Sequence, residues 1–200
     1  MSGSVPASDR VPFSGAVLTG GASRRMGRDK ALIDLDGRPL AGRVVGALHE
    51  AGATRVICVG GDLDALRRAG LEAVADIHPG DGPLAGVLTA LGTPGVEELV
   101  AVLATDLLQP DPVAVRRCVD AAVDDVDLVV PVAAGRVQWL HGVWRRSTAG
   151  PHVRRAFADG ERAVHRAVQG LRVVELDGLA AAATVDADRP EDLTTGDARN

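Results

Sequence analysis

The chain alternates between short apolar runs and longer stretches in which apolar residues recur every three or four positions. Residues 15–19 (GAVLT), 55–59 (RVICV), 71–75, 99–104 (LVAVLA) and 128–132 (LVVPV) are apolar runs that lead into glycines, carboxylates or small residues. Strands buried on both faces of a parallel sheet read this way. Residues 137–144 alternate like a sixth strand, and 172–176 form a last one. Leu40, Val44, Val45 and Leu48 follow Pro39 at helical spacing, with Pro39 suited to a first turn. Residues 83–91 and 111–123 read as helices, as do short stretches near 152–158 and 162–168. Residues 31–35 read as a short extended piece before the turn signal Asp36-Gly37, and 190–193 as the start of a terminal helix. Strands alternating with helices predict a three-layer α/β/α fold, with a mostly parallel sheet covered on both faces. No internal repeat or low-complexity linker divides the chain. The expected organisation is a polar tail over 1–13, one domain over 14–195, and a short tail over 196–200.

Composition narrows the function. The 200 residues carry a formal net charge of −5 and only 2% aromatics, with no Tyr. An acidic chain with few stacking faces is a poor general partner for nucleic acid. Cys58 and Cys118 form no metal-binding spacing, no apolar run reaches membrane-spanning length, and residues 1–12 lack a signal-peptide core. A cytoplasmic protein that binds neither nucleic acid nor membrane is expected. Among the 22 basic residues Lys30 is the single lysine. Either it is one surviving surface lysine, or position 30 requires a compact charge on a thin, flexible stem.

In open α/β sheets ligands gather outside the carboxyl ends of strands, and two chemistry-bearing segments fall there. The first runs Leu18-Thr19-Gly20-Gly21-Ala22-Ser23-Arg24-Arg25-Met26-Gly27-Arg28-Asp29-Lys30. Glycines at 20, 21 and 27 let backbone N–H groups approach an anion, and four cations add charge suited to a triphosphate. The plainer alternative is a glycine turn carrying solvated arginines. Asp29 precedes and Ala31 follows the lysine, so the segment is not a Walker A loop, and it contains no dinucleotide fingerprint. The second is Asp106, directly after the 99–104 run. There a carboxylate can hold a hard cation such as Mg²⁺ together with phosphate oxygens, or it can cap a helix. The histidines form no HExxH pair and there is no GxSxG elbow. Phosphate-centred transfer needs positioning and charge neutralisation more than a protein nucleophile.

The run from Leu18 to Lys30 resembles the LxGGxSxRMGxDK signature of the nucleotidyltransferase superfamily and, within it, of the molybdenum cofactor guanylyltransferases. The Gly82-Pro83-Leu84-Ala85-Gly86 segment preceded by Asp76, Asp106 itself, Gly160-Glu161-Arg162, and the terminal Asp186-Ala187-Asp188-Arg189-Pro190-Glu191-Asp192-Leu193 match further motifs in the right order, over about residues 14–194. The resemblance implies the Rossmann-like nucleotidyltransferase fold. It also implies transfer of GMP from GTP to the phosphate of molybdenum-molybdopterin, with release of pyrophosphate. Lys30, Arg24 and Asp106 would serve catalysis. Leu18, Thr19, Gly20, Gly21, Ser23, Arg25, Gly27, Lys30, Asp76, Gly82, Pro83 and Leu84 would bind the nucleotide, with Thr19, Gly20 and Asp76 near guanine. An ionised Asp can accept from both guanine N1–H and N2–H₂. Asp106 would carry Mg²⁺, and Arg162, Asp186 and Asp188 would face the pterin. Molybdoenzymes or cofactor-delivery proteins would receive the product.

Three departures bear on this. Val59-Gly60-Gly61-Asp62 stands where an Asn-rich turn is common, and Gln138-Trp139-Leu140 replaces a Pro-containing piece. Asp186 and Asp188 stand where asparagines are common. They would repel an anionic pterin unless a metal lies between, and either could complete the Mg²⁺ site. The rivals are a cytidylyltransferase for the same cofactor, transfer to another phosphorylated acceptor, and a non-catalytic nucleotide sensor on the same fold. The glycine pair and the GPLAG segment favour guanine over cytosine, and Lys30 with Asp106 favours catalysis over sensing.

Overall fold

The computed structural model describes residues 10–21, 30–35, 37–107 and 109–178. The apolar runs become strands β1 (Phe13–Leu18), β4 (Arg55–Val59), β5 (Ala73–Val74), β6 (Leu99–Ala104), β7 (Leu128–Ala133) and β10 (Val173–Leu176). A small hairpin, β2 (Asp34–Leu35) and β3 (Arg38–Pro39), lies apart from the main sheet. Strands β8 (Arg136–Val137) and β9 (Val143–Arg145) complete the set. The main sheet runs β10-β7-β9-β6-β1-β4-β5, with β8 paired to β7. It is parallel except around β9, which runs antiparallel to both β6 and β7, and at β8.

Alternate residues of each strand feed two cores, as a pleated sheet buried on both faces requires. Val100 and Val102 of β6 join Ala16 and Leu18 of β1 beneath α3 (Pro83–Gly92), α5 (Arg146–Ala158) and α6 (Val164–Ala167). Leu99, Ala101 and Leu103 face the other way with Phe13 and Val17, under α1 (Leu40–Glu50), α2 (Leu63–Arg68) and α4 (Pro112–Asp120). The three-layer expectation holds. Among the described residues no helix is long and apolar enough to cross a membrane.

Five local expectations change. Residues 31–35 are not one extended piece, because Lys30–Leu32 winds into a 3₁₀ turn before β2. Pro39 is the N-cap of α1, extended at φ −62 and ψ 146, rather than part of its first turn. The run 71–75 narrows to two strand residues. The 137–144 stretch is not one strand; it breaks between β8 and β9, where Gln138 donates to Pro131 and His141 to Gln138. Helix α5 begins at Arg146 instead of near 152, with Pro151 inside it. Helix α2 has no counterpart in the sequence reading. The expected helix at 190–193 lies outside the described residues.

Candidate functional site

The carboxyl ends of β1, β4 and β6 lie side by side, and the segments that follow them meet there. Thr19, buried, turns its hydroxyl toward the end of β4, sharing a donor between the carbonyls of Val59 at 3.0 Å and Gly60 at 2.8 Å. The N–H groups of Thr19 and Gly20 both donate to Val59 O. Gly20 thus lies against Gly60. A Cβ at Gly60 would stand 3.0 Å from Gly20 Cα and 3.5 Å from Asp76 Cβ. With φ at +76, Gly60 occupies a conformation that side chains rarely adopt. This corner is floored by backbone.

Asp76 follows β5 and stands at the same corner. Its Oδ1 accepts from the His78 N–H at 3.0 Å and from the Thr89 hydroxyl of α3 at 2.9 Å, which fixes the carboxylate. The turn it opens ends at Gly82, the α3 N-cap, with φ +87. Pro83 then enters the first turn without an orphan N–H. Leu18 and Leu84 belong to the apolar core beneath α3 by their side chains, so they can meet a nucleotide only through backbone. Gly86 lets α3 descend onto β1; a Cβ there would stand 2.9 Å from Leu18 Cδ2.

On the other side of β1, the buried Thr105 hydroxyl donates to the carbonyl of Leu18 and joins the ends of β1 and β6. Asp106 comes next. Lys30, entering from its 3₁₀ turn, places Nζ 3.7 Å from Asp106 Oδ2. Both side chains are partly exposed, at 20% and 32%. The two charges are paired at a distance that a bound phosphate or cation can still enter.

His141 was not among the expected site residues. It is buried, and neither ring nitrogen has a hydrogen-bond partner. Burial pushes its pKa down to about 4, against the upward pull of the Asp106 carboxylate. At neutral pH it is an uncharged imidazole within the field of the Asp106 carboxylate. Gly142 follows, where a Cβ would stand 2.9 Å from Val129 O. The chain entering β9 is pressed against β7 at this point.

Arg162 lies beyond α5, beside the turn that leads to Gly82. Its Nη1 donates to the carbonyls of Phe157 and Glu161, each at 2.9 Å, and its Cζ stacks 3.9 Å over the Phe157 ring. Its Nη2 stands 3.7 Å from Asp81 Oδ2. His78 packs on the same Phe157 ring at 4.7 Å.

The fold therefore brings Leu18, Thr19, Gly20, Lys30, Asp76, Gly82 to Leu84 and Asp106 to one edge, with Arg162 against the Asp76–Gly82 turn. Gly21 is exposed at the start of the glycine-rich loop. Ser23, Arg24, Arg25, Gly27, Asp186 and Asp188 lie outside the described residues. Among the described residues no three His, Cys, Asp or Glu side chains gather to hold a metal.

The MobA-like NTP transferase domain family matches residues 15–175. A probable molybdenum cofactor guanylyltransferase of Opitutus terrae is 37% identical over 90% of this chain and 92% of its own length. The crystal structure of molybdopterin-guanine dinucleotide biosynthesis protein A from Archaeoglobus fulgidus superposes with a TM-score of 0.69 at 23% identity, covering 90% of this chain and 95% of that one. A Mycobacterium tuberculosis protein solved in complex with manganese superposes at a TM-score of 0.62 with 21% identity, covering 90% of this chain and 94% of its own.

Proposed function

Because the chain belongs to the MobA-like NTP transferase family, matched over residues 15–175, we propose that it is a molybdenum cofactor guanylyltransferase. In this reading it transfers GMP from GTP to the phosphate of molybdenum-molybdopterin, forming the guanine dinucleotide and pyrophosphate. The observation that carries it is the meeting of Lys30 and Asp106 at 3.7 Å, beside the backbone-floored corner of Gly20, Gly60 and Asp76.

That corner suits guanine. A base can approach a wall without side chains, and Asp76, fixed through Oδ1, has Oδ2 to accept from a base donor. Gly21, Ser23, Arg25 and Gly27 would wrap the phosphates, and Arg24 with Lys30 would answer the charge that grows as pyrophosphate leaves. The acceptor phosphate, with a second pKa near ~6, is already ionised at neutral pH and needs no general base. The attacking oxygen forms a bond to the α-phosphorus as the bond to the departing pyrophosphate breaks.

Asp106 fits a divalent cation by the chemistry of its donor. It is one hard, partly exposed carboxylate just past a strand end, and phosphate oxygens, waters or the carboxylates of Asp186 or Asp188 would be its co-ligands. Such a cation, Mg²⁺ in this proposal, supplies charge neutralisation to the phosphates when bound. Arg162 would meet the anionic side of the pterin.

A nucleotide panel tests the assignment. Purified protein, Mg²⁺ and purified molybdenum-molybdopterin should release pyrophosphate from GTP much faster than from CTP or ATP. Equal or faster use of CTP makes this a cytidylyltransferase. Tight GTP binding without turnover makes it a sensor.

A further inference from the structure

Arg162 is held as an anion receptor before any anion arrives. Two backbone carbonyls fix Nη1 and the Phe157 ring fixes the plane, so the outer edge of the fork is oriented without ligand. That edge faces Asp81 at 3.7 Å, longer than the 2.7–2.9 Å typical of a charge-assisted bond. Both side chains are close to half exposed, at 44% and 48%. Its nearest acidic neighbour is directed elsewhere. Glu161 accepts from the N–H groups of Arg162 and Ala163 and pairs with Arg166 at 2.7 Å, contacts that hold its carboxyl down at about 2.

We propose that Asp81 is a displaceable stand-in for the acceptor's anionic group on Arg162, so that this carboxylate sets how tightly the acceptor binds. The inference rests on the acceptor-side reading of Arg162 given above. A loose single contact suits a stand-in. It neutralises the guanidinium between turnovers and yields to a phosphate that can grip the fork at two points. Asp81 also lies immediately before Gly82, so the group it vacates for is next to the nucleotide's own turn.

Steady-state kinetics on the full chain test this with purified molybdenum-molybdopterin and GTP. Asp81→Asn should lower the KM for the acceptor about two- to fivefold, the span of an exposed ion pair. It should leave kcat and the KM for GTP within twofold. Asp81→Glu should keep the wild-type KM. In an Arg162→Ala background, which should itself raise the acceptor KM, Asp81→Asn should have no further effect. A gain that persists in that background is a general charge effect and overturns the proposal, as does an unchanged acceptor KM. A raised KM for GTP makes the pair a brace of the nucleotide turn and overturns it too. If Arg162→Ala leaves the acceptor KM untouched, the acceptor-side reading fails first. If wild type transfers no GMP, the proposed function fails before either. Matched thermal midpoints confirm that the variants fold.

Discussion

The ion pairs of the candidate site and those at the opposite edge of the sheet are built differently. At the carboxyl edge, Lys30–Asp106 and Arg162–Asp81 each stand at 3.7 Å between partly exposed partners. At the opposite edge, Arg55 grips Glu72 through Nε and Nη2, the latter at 2.5 Å, and donates to Pro94 O at 2.6 Å. Arg116 and Asp120 meet at 2.6 Å on α4. Asp127 takes the Arg172 N–H at 2.8 Å as well as its guanidinium. The pairs at the base bond at shorter range, and two of them join the entries of neighbouring strands. The pairs at the top stand farther apart, which is what a site for charged substrates needs.

The largest test of that contrast is catalytic. Lys30→Arg should lose roughly 10²–10³ in kcat while retaining most GTP affinity, because a wide planar fork cannot follow charge between oxygens as an ammonium does. Asp106→Asn should lose turnover on a similar scale, and both variants should keep the wild-type unfolding midpoint. A fully active Lys30→Arg variant would reduce this pair to a surface contact like any other.

Acid sensitivity should also divide by edge. His141 is lowered in the folded state, to about 4 from its usual 6.5, so the unfolded chain binds its proton first. Its contribution to stability is full above about pH 6.5 and falls as pH drops toward 4, by up to roughly 3 kcal/mol. Urea unfolding at pH 7.5 and 5 should show this slope, and His141→Leu should flatten it. Burial pushes Asp127 at the base upward, but its bonds from Arg172 and Thr148 together outweigh that and bring it from 3.8 down to about 2. Its contribution is full above about pH 4 and is lost as pH falls through 2. With the half-exposed Arg172 screened by water, that is about 1–2 kcal/mol. Asp127→Asn should therefore remove the lower step and leave the upper one.

The smallest expected effect belongs to the tightest contact. Glu72→Gln should cost about 0.5–1 kcal/mol in unfolding free energy, because the pair is solvent-exposed, and should not change kcat. A loss of activity there would erase the distinction between the edges.

Periodicity located what runs straight and follows a strand. Strands β4 and β6 begin and end where their apolar runs do. Thr19, Gly20, Asp76 and Asp106 could be found because parallel strands deliver the residues after them to the ligand edge. Strand β9 is reversed, so it delivers the residue before it, and His141 was passed over as one histidine among five. Helix α2 was missed because six residues hold too little of a helical period. Its signal was the cap, Asp62 accepting from Ala65 N–H. Pro151 hid the first turns of α5. No local pattern announces a pair such as Asp81 and Arg162, which only the docking of α5 against α3 brings together.

The Thr105–Leu18 bond spans 87 residues of sequence and closes the carboxyl end of the β1–β6 pairing. Contacts this distant close late, since the loop between them must first be ordered. The nucleotide corner and the Lys30–Asp106 pair sit on opposite flanks of that seam. A chain that has formed β4, α2 and β5 but has not yet docked β1 between β4 and β6 has neither half of the site in place. During refolding, recovery of GTP binding should therefore trail the early helical signal and rise together with burial of the two central strands. Among the folding probes, the substrate itself is the one that reports when the loop between β1 and β6 has closed.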